Sequence, residues 1–162
     1  MSKNETFSDE LVNDFLGLYK SKDKSYDTII YIDKKPYGEK IYAHSLILST
    51  RSVYFSKALS ENWVKKQDGY FILTQPNTNG LVFEIILKYL YCGILNFENL
   101  DIDMIFSFLV TVDKLLIQEL FDYIQIYLIT SDLLESQSCK ILNFVINNPS
   151  FTTIKKNLLE TI

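Results

Sequence analysis

The sequence predicts an α+β or α-dominated fold, because three short strand patterns are followed by longer apolar patterns at helical spacing. Strands are expected over residues 28–32 and 39–43, which form a hairpin, and over residues 70–73. Residues 82–91 then carry apolar side chains with the periodicity of a helix that is mostly buried. The predicted architecture is therefore a small three-stranded sheet flanked by a cluster of α-helices.

Length and composition limit the function classes. A chain of 162 residues can bury one sizeable core and carry an appendage, and a hydrophobic content of 48% excludes a disordered chain. The formal net charge is −4 and the lysines form only scattered pairs, which argues against nucleic acid as a partner. Charges interrupt every long apolar stretch, and the amino-terminus lacks the apolar run of a signal peptide. We expect an intracellular protein, cytoplasmic and/or nuclear, without a membrane partner.

An amphipathic helix is predicted ahead of the strands. Ser8 is a suitable cap, and Asp9 and Glu10 in the first turn favour the helix dipole. The apolar stripe of this helix consists of Leu11, Val12, Phe15, Leu16 and Tyr19. The stripe must pack on something, and two surfaces qualify: its own domain or a second copy of the chain.

The other helices are expected between the strands and after the central helix, which stops at Gly93. Ser45 is the predicted cap of the first short helix. The tail is expected to contain two helices, broken at the Asn147-Asn148-Pro149 step. The expected helical segments are residues 46–49, 53–59, 102–110, 116–127 and two segments after residue 131.

The sequence offers no recognisable catalytic constellation. His44 is the only histidine, and no acidic partner lies at a recognisable spacing, so we interpret it as a buried imidazole bonded to the backbone. Cys92 lies in the buried helix and Cys139 in the tail, too far apart in sequence to indicate a zinc site or a disulfide framework. We therefore predict that the protein is not an enzyme and uses no cofactor or metal.

Three motifs carry a family resemblance. In chain order they are Ala43-His44 followed by Ser52-x-Tyr54-Phe55, then Tyr89-x-Tyr91-x-Gly93, and finally Asp113-Lys114-Leu115-Leu116. In this order and spacing they resemble the BTB/POZ domain over about residues 26–128. The resemblance implies a protein-interaction module of the BTB/POZ fold with a C-terminal helical extension. It also implies structural roles for the family-signature residues Asp27, His44, Tyr54, Phe55, Tyr89 and Gly93.

The resemblance divides the chain into three parts. Residues 1–25 correspond to an N-terminal dimerisation helix and linker, and residues 26–129 to the BTB/POZ core. Residues 130–162 look like the start of a BACK-like helical extension. The apolar stripe of its last helix, Ile154, Leu158 and Ile162, runs to the final residue, so we expect this extension to be incomplete.

The favoured function implied by the resemblance is a homodimeric adaptor that recruits a cullin scaffold, so that an unknown substrate protein is ubiquitinated. The dimer interface would use the stripe of the first helix. The cullin-facing surface would comprise Lys57, Ala58, Leu59, Trp63, Lys65 and Leu115. Trp63 is either an exposed anchor for the partner or folds back over the sheet. Cullin-binding members often carry an acidic residue where this chain has Lys65, which weakens the inference.

Two other binding functions stay open. The first is a self-association or scaffold domain that does not bind a cullin. The second, ranked lower, is a corepressor-binding domain, in which an early aspartate pairs with a basic residue after the Ala-His step. Asp27 matches the acid, but Ser45 occupies the basic position. Half of that charged pocket is therefore absent.

Overall fold

Four strands form one mixed sheet in the part of the chain that the structure describes. This part comprises residues 8–21, 25–32, 38–60, 65–97 and 100–161, and its side chains are described as far as residue 156. The structure is a computed structural model, and its strands are β1 (Thr28–Ile32), β2 (Glu39–Ala43), β3 (Lys65–Gln67) and β4 (Tyr70–Gln75). They are arranged in the order β2-β1-β4-β3. The central pair, β1 and β4, is parallel, whereas both outer pairs are antiparallel. The sheet belongs to the first of two compact units, residues 1–97 and 98–162.

The sheet buries one face and leaves the other partly open. Alternate residues of the central strand, Thr28, Ile30 and Ile32, are buried, as period-two alternation requires. Their neighbours on β2 and β4 continue this buried face, which is therefore the sheet's contribution to the core. The prediction of three strands was one short. β3 is fully exposed and polar, so it has no apolar alternation from which it could be recognised.

Four helices complete the first unit within the described residues: α1 (Ser8–Lys20), α2 (Ser45–Arg51), α3 (Val53–Ala58) and α4 (Gly80–Cys92). The sequence predicted all four. Their ends are fixed locally. The side chain of Ser52 caps α3 by accepting from the Phe55 amide, and Asn79 caps α4 in the same way. Gly93 ends α4 in the left-handed conformation, with φ of 68°.

The second unit is helical and has an aromatic core. Its helices are α5 (Ile102–Lys114), α6 (Gln118–Thr130), α7 (Leu133–Ser136), α8 (Ser138–Asn147) and α9 (Thr152–Thr161). Phe144 of α8 stacks on Phe106 of α5 at a centroid distance of 4.1 Å, and Phe151 lies 5.0 Å from Phe144 and 5.4 Å from Phe121 of α6. This column of rings joins the tail helices to α5 and α6.

The tail contains one helix more than the sequence predicted. The additional helix, α7, is a single turn, too short for its periodicity to be recognised. Ile154 of α9 is fully buried, whereas the side chains of Leu158 and Ile162 lie outside the described residues. That residues 130–162 begin a BACK-like extension stays a prediction. No helix in the described ranges has the length and apolar character that crossing a bilayer requires.

Candidate functional site

An apolar groove lies between α1, α2 and the C-terminal end of α4. Its volume is about 530 Å³. The residues that line it are Leu11, Val12, Phe15, Leu46, Ile47, Thr50, Arg51, Leu90, Tyr91, Cys92 and Gly93. Most of these side chains are apolar, and only Arg51 carries a formal charge. Such a surface is suited to bind another apolar surface, because burying it removes hydrocarbon from water.

Two leucines at the rim of the groove are largely exposed to solvent, which is unfavourable for apolar side chains. Leu11 on α1 is 57% exposed and Leu46 on α2 is 73% exposed. The other members of the predicted stripe, Val12, Phe15, Leu16 and Tyr19, are half-buried. Helix α1 therefore packs on α4 of its own unit and still presents apolar surface outward. Both surfaces that the sequence left open for this stripe are compatible with the geometry.

Leu46 was not assigned to any surface from the sequence. It is the first of three consecutive apolar residues in a helix of seven residues, and Leu48 is fully buried. Successive residues of a helix are 100° apart, so a short helix cannot bury all three of them. That geometric limit is the signal by which Leu46 could have been identified.

Tyr91 holds the wall of the groove through its hydroxyl group. Its oxygen accepts from the backbone N–H of His44 at 2.9 Å and lies 2.7 Å from Nδ1 of the same residue. Nε2 of His44 lies 3.0 Å from the Ser25 hydroxyl. Two tautomers satisfy all three contacts: either the phenol donates to Nδ1 and Nε2–H donates to Ser25, or Nδ1–H donates to the phenol oxygen and the Ser25 hydroxyl donates to Nε2. The expectation that the imidazole bonds the backbone was wrong, because both ring nitrogens face hydroxyl groups.

The ring of Tyr91 connects this polar junction to α1. It packs against Tyr19 at a centroid distance of 5.6 Å and against the edge of His44 at 5.8 Å. Burial raises the pKa of Tyr91 to about 12, more than the hydrogen bond from His44 lowers it. The phenol is therefore a neutral structural group at physiological pH.

Asp27 fixes the start of α2 from across the chain. Its carboxylate accepts from the backbone N–H of Ser45 at 2.7 Å and from the Ser45 hydroxyl. Burial alone would raise the pKa of Asp27, but the bonds from Ser45 and from the Thr28 hydroxyl together lower it. The prediction that Ser45 caps α2 was wrong. His44 is the N-cap residue without a side-chain bond, and the carboxylate of Asp27 meets the helix N-terminus instead.

The other family-signature residues make packing and hydrogen-bond contacts within the fold. Phe55 is fully buried, and the hydroxyl of Tyr54 accepts from the side-chain amide of Gln75 at 3.1 Å. Tyr89 lies under the guanidinium of Arg51, 5.4 Å from the ring centroid. These contacts join α3 to β4 and α2 to α4. They position the elements that form the groove.

The predicted cullin-facing residues do not all reach the surface. Lys57 and Lys65 are exposed and Ala58 is half-buried, but Leu59 is buried. Trp63 lies outside the described residues. In the second unit Leu115 is 0% exposed, so the assignment of Leu115 to an outer surface needs correction.

The exposed leucine of the junction between α5 and α6 is Leu116, at 49%. Its φ of 52° places it in the left-handed region, where a non-glycine residue is uncommon. Sequence reasoning chose Leu115 over its neighbour, because the backbone conformation that exposes Leu116 is not evident in the sequence.

The two cysteines differ in their surroundings. Burial raises the pKa of Cys92, which disfavours its reactive thiolate. Cys139 is exposed, and neither cysteine is in a disulfide. No group of three or more metal-ligating side chains comes together within the described ranges.

Comparisons with known proteins identify solved structures that have a similar fold. The structure is similar to the BTB domain of human gigaxonin, with a TM-score of 0.58 and 20% identity over 76% of this chain and 95% of that one. It is also similar to the BTB domain of zebrafish PATZ1, with a TM-score of 0.61 and 16% identity over 81% of this chain and 100% of that one. At these identities the likeness shows the fold. A search of curated proteins returned no match.

The α+β fold and its apolar groove define a protein-interaction module. The sequence matches the BTB/POZ domain over residues 16–132, and the chain belongs to that family. BTB domains self-associate and bind partner proteins, and their fold is generally non-enzymatic. The resemblance inferred from the motifs is thereby confirmed, as is the α+β class with a small sheet and many helices.

Proposed function

We propose that the chain is a homodimeric adaptor that recruits a cullin scaffold for the ubiquitination of a substrate protein, acting in the cytoplasm or nucleus. The observation that carries the dimer is the exposed apolar rim of the groove on α1 and α2. A fully buried leucine contributes about 1.5–3 kcal/mol relative to an exposed one. Pairing two copies of this rim would bury Leu11 and Leu46 of each copy, against the cost of association.

A measurement of molar mass tests the dimer. Light scattering at micromolar concentration should give twice the chain mass of 18.9 kDa. The double substitution Leu11→Asp with Leu46→Asp should give a folded monomer, because two charges per copy would be buried in the interface. Leu81→Asp is the matched control, since Leu81 is 52% exposed but lies outside the groove. A wild-type monomer would exclude the homodimer.

Cullin recruitment is supported by family membership and by the exposure of Lys57, Lys65 and Leu116. Leu116 replaces Leu115 in this proposal because only Leu116 is accessible. A purified cullin N-terminal domain should bind with a dissociation constant in the micromolar range or below. The Leu116→Asp variant should weaken that binding, and so should Trp63→Ala. Lys155→Glu serves as a control charge change on an exposed residue of α9.

The scaffold function is the second candidate. It follows if the wild type is a dimer by light scattering and shows no binding to the cullin domain. The exposed rim of α1 and α2 favours self-association in either case.

The corepressor function has weaker support. The carboxylate of Asp27 is already bonded to Ser45, and Ser45 supplies no positive charge. A charged pocket for a corepressor peptide would therefore lack its basic half.

A further inference from the structure

The outward face of the sheet carries a ridge of tyrosine rings. The ring of Tyr26 lies 4.5 Å from that of Tyr42 on β2 and 5.4 Å from that of Tyr70 on β4. The three rings lie at the end of the sheet where β1 and β4 begin, because Tyr26 precedes β1, Tyr70 is the first residue of β4 and Tyr42 pairs with the second residue of β1. Tyr42 is 50% exposed, and the other two rings are partly accessible. Exposed tyrosines in a contiguous group are typical of protein-binding surfaces.

Isoleucines extend this ridge into a larger apolar surface. Ile29 of β1 pairs with Tyr42 on one side and with Ile72 of β4 on the other, so all three side chains share the outward face. Ile29 and Ile72 are half-buried and not fully covered. We name the surface formed by Tyr26, Ile29, Tyr42, Tyr70 and Ile72 the tyrosine face.

A lysine lies on each edge strand of the tyrosine face. Lys40 pairs with Tyr31, and its Nζ lies 5.6 Å from the centre of that ring, whereas Lys65 of β3 pairs with Ile72. Both lysines are exposed. Outward positions of the described strands carry no carboxylate to balance them, although Asp68 lies in the turn between β3 and β4.

The acidic residue of β2, Glu39, does not share the outward face, although it lines the cavity beside Tyr42. Glu39 of β2 pairs with the buried Ile32, and its Oε2 lies 2.5 Å from where a Cβ on Gly80 would be. This position is at the N-terminus of α4, where the helix dipole favours a negative charge. On the described strands the charged side chains at outward positions are therefore the two lysines, although the whole chain has a net charge of −4.

A cavity adjoins the tyrosine face at Tyr26 and Tyr42. Its volume is about 440 Å³, and its other walls include Tyr19 and His44 together with two lysines, Lys20 and Lys40, and two carboxylates, Glu39 and Glu84. This volume is within the range of about 300–1,000 Å³ found for sites that bind small ligands. One large side chain of a partner could enter it.

We propose that the tyrosine face binds an acidic segment of a partner protein, with one apolar or aromatic side chain of that segment in the adjoining cavity. Lysines at the two edges complement the acidic side chains, and the tyrosine rings cover the apolar ones. This surface would be a second interaction site, distinct from the groove between α1, α2 and α4. It shares Lys65 with the proposed cullin-facing surface, and its cavity shares Tyr19 with the stripe of α1, but a test with peptides requires neither a cullin nor a second copy.

Fluorescence anisotropy with two short labelled peptides tests the proposal. One peptide alternates glutamate with leucine and contains a single tryptophan, and the other has lysine in place of every glutamate. The acidic peptide should bind the full chain and lose affinity as salt is added, because screening weakens the lysine contacts. The basic peptide should bind at least about tenfold more weakly.

Matched variants locate the site. Tyr42→Ser and the double change Lys40→Glu with Lys65→Glu should each lower the affinity for the acidic peptide at least about tenfold. The controls are Tyr123→Ser, since Tyr123 is 55% exposed on α6, and Lys155→Glu with Lys156→Glu on α9. Circular dichroism of every variant establishes that it is folded. A variant that fails this check is replaced by Tyr42→Phe, Lys40→Gln or Lys65→Gln, which should weaken binding less.

Three results would overturn the proposal. The first is no binding of the acidic peptide, and the second is equal binding by wild type and the folded sheet variants. The third is binding of phosphatidylserine vesicles that depends on Tyr42 and Lys40 while the acidic peptide does not bind. That pattern would indicate a membrane surface as the ligand.

Discussion

Helices α1 and α4 each have 13 residues and carry apolar side chains at helical spacing, yet they differ completely in burial. Helix α4 buries seven side chains, including Phe83, Ile86 and Leu90. Helix α1 buries none, although the two helices pack together in the same unit. Helix α4 carries few charged residues, whereas α1 carries a single apolar stripe on an otherwise polar surface. Most of the apolar surface of α4 is thus buried within the chain, and Leu81 is an exposed exception.

The difference shows how the first unit separates stability from interaction. A helix apolar on nearly every side can only be a core element. A helix with a single stripe can dock on its own unit and keep part of the stripe for a partner. The exposed rim of α1 and α2 therefore costs little stability and offers a surface for a second copy. The following predictions test this distinction, beginning with the largest expected effect.

The two helices should respond very differently to loss of a phenylalanine. Phe83→Ala in α4 should lower the free energy of unfolding by about 3–5 kcal/mol, because it leaves a cavity at a fully buried site. Phe15→Ala in α1 should cost about 1 kcal/mol or less when measured on the monomer. Urea unfolding at low protein concentration provides both values. Similar losses for the two variants would contradict the distinction.

The hydroxyl of Tyr91 should contribute more to the stability of the fold than the hydroxyl of an exposed tyrosine. Tyr91→Phe removes the partner of the His44 backbone N–H and of Nδ1, which should cost about 1–3 kcal/mol. Tyr42→Phe is the control, because Tyr42 is half exposed. Thermal unfolding of both variants gives the comparison. If the two variants have the same unfolding temperature, the hydrogen bonds between Tyr91 and His44 do not stabilise α4 specifically.

One substitution should have opposite effects in the two helices. Gly17→Ala should stabilise the protein by about 0.5–1 kcal/mol, because Gly17 is inside α1 and its new Cβ meets no atom within 4 Å. Gly93→Ala should destabilise it by about 1 kcal/mol, because Gly93 ends α4 with φ of 68°. Chemical denaturation measures both changes. A gain in stability from Gly93→Ala would show that the end of α4 tolerates a different backbone.

The smallest expected effect is a dependence on pH that comes from Asp27. Its pKa in the folded chain lies below the ordinary value of 3.8, so the carboxylate contributes stability above pH 3.8. This contribution is lost as the pH falls through the lowered pKa. The difference in unfolding free energy between wild type and Asp27→Asn should therefore shrink on acidification below pH 3.8. A difference that stays constant would contradict the role of Asp27 at α2.

Much of the fold follows from local sequence patterns. The strands β1, β2 and β4 and the helices α1, α4, α5 and α6 each carry a clear periodicity, which their own residues determine. Caps at Asn79 and Asp101 and the end at Gly93 are equally local. The short elements β3 and α7 were not predicted because three or four residues are too few to show a period.

The candidate sites depended on tertiary structure instead. The stripe of α1 was readable in the sequence, but its exposure was decided by how much of it α4 covers. The side-chain partners of His44, the bonding of Asp27 to Ser45 and the exchange of Leu115 for Leu116 at the surface were also set by packing. So was the tyrosine face, since strand register alone brings Tyr42 and Ile72 onto one side. Local sequence thus determined which elements form, because periodicity and capping act over a few residues. Only the folded chain decided which side chains remain accessible, because burial depends on residues distant in sequence.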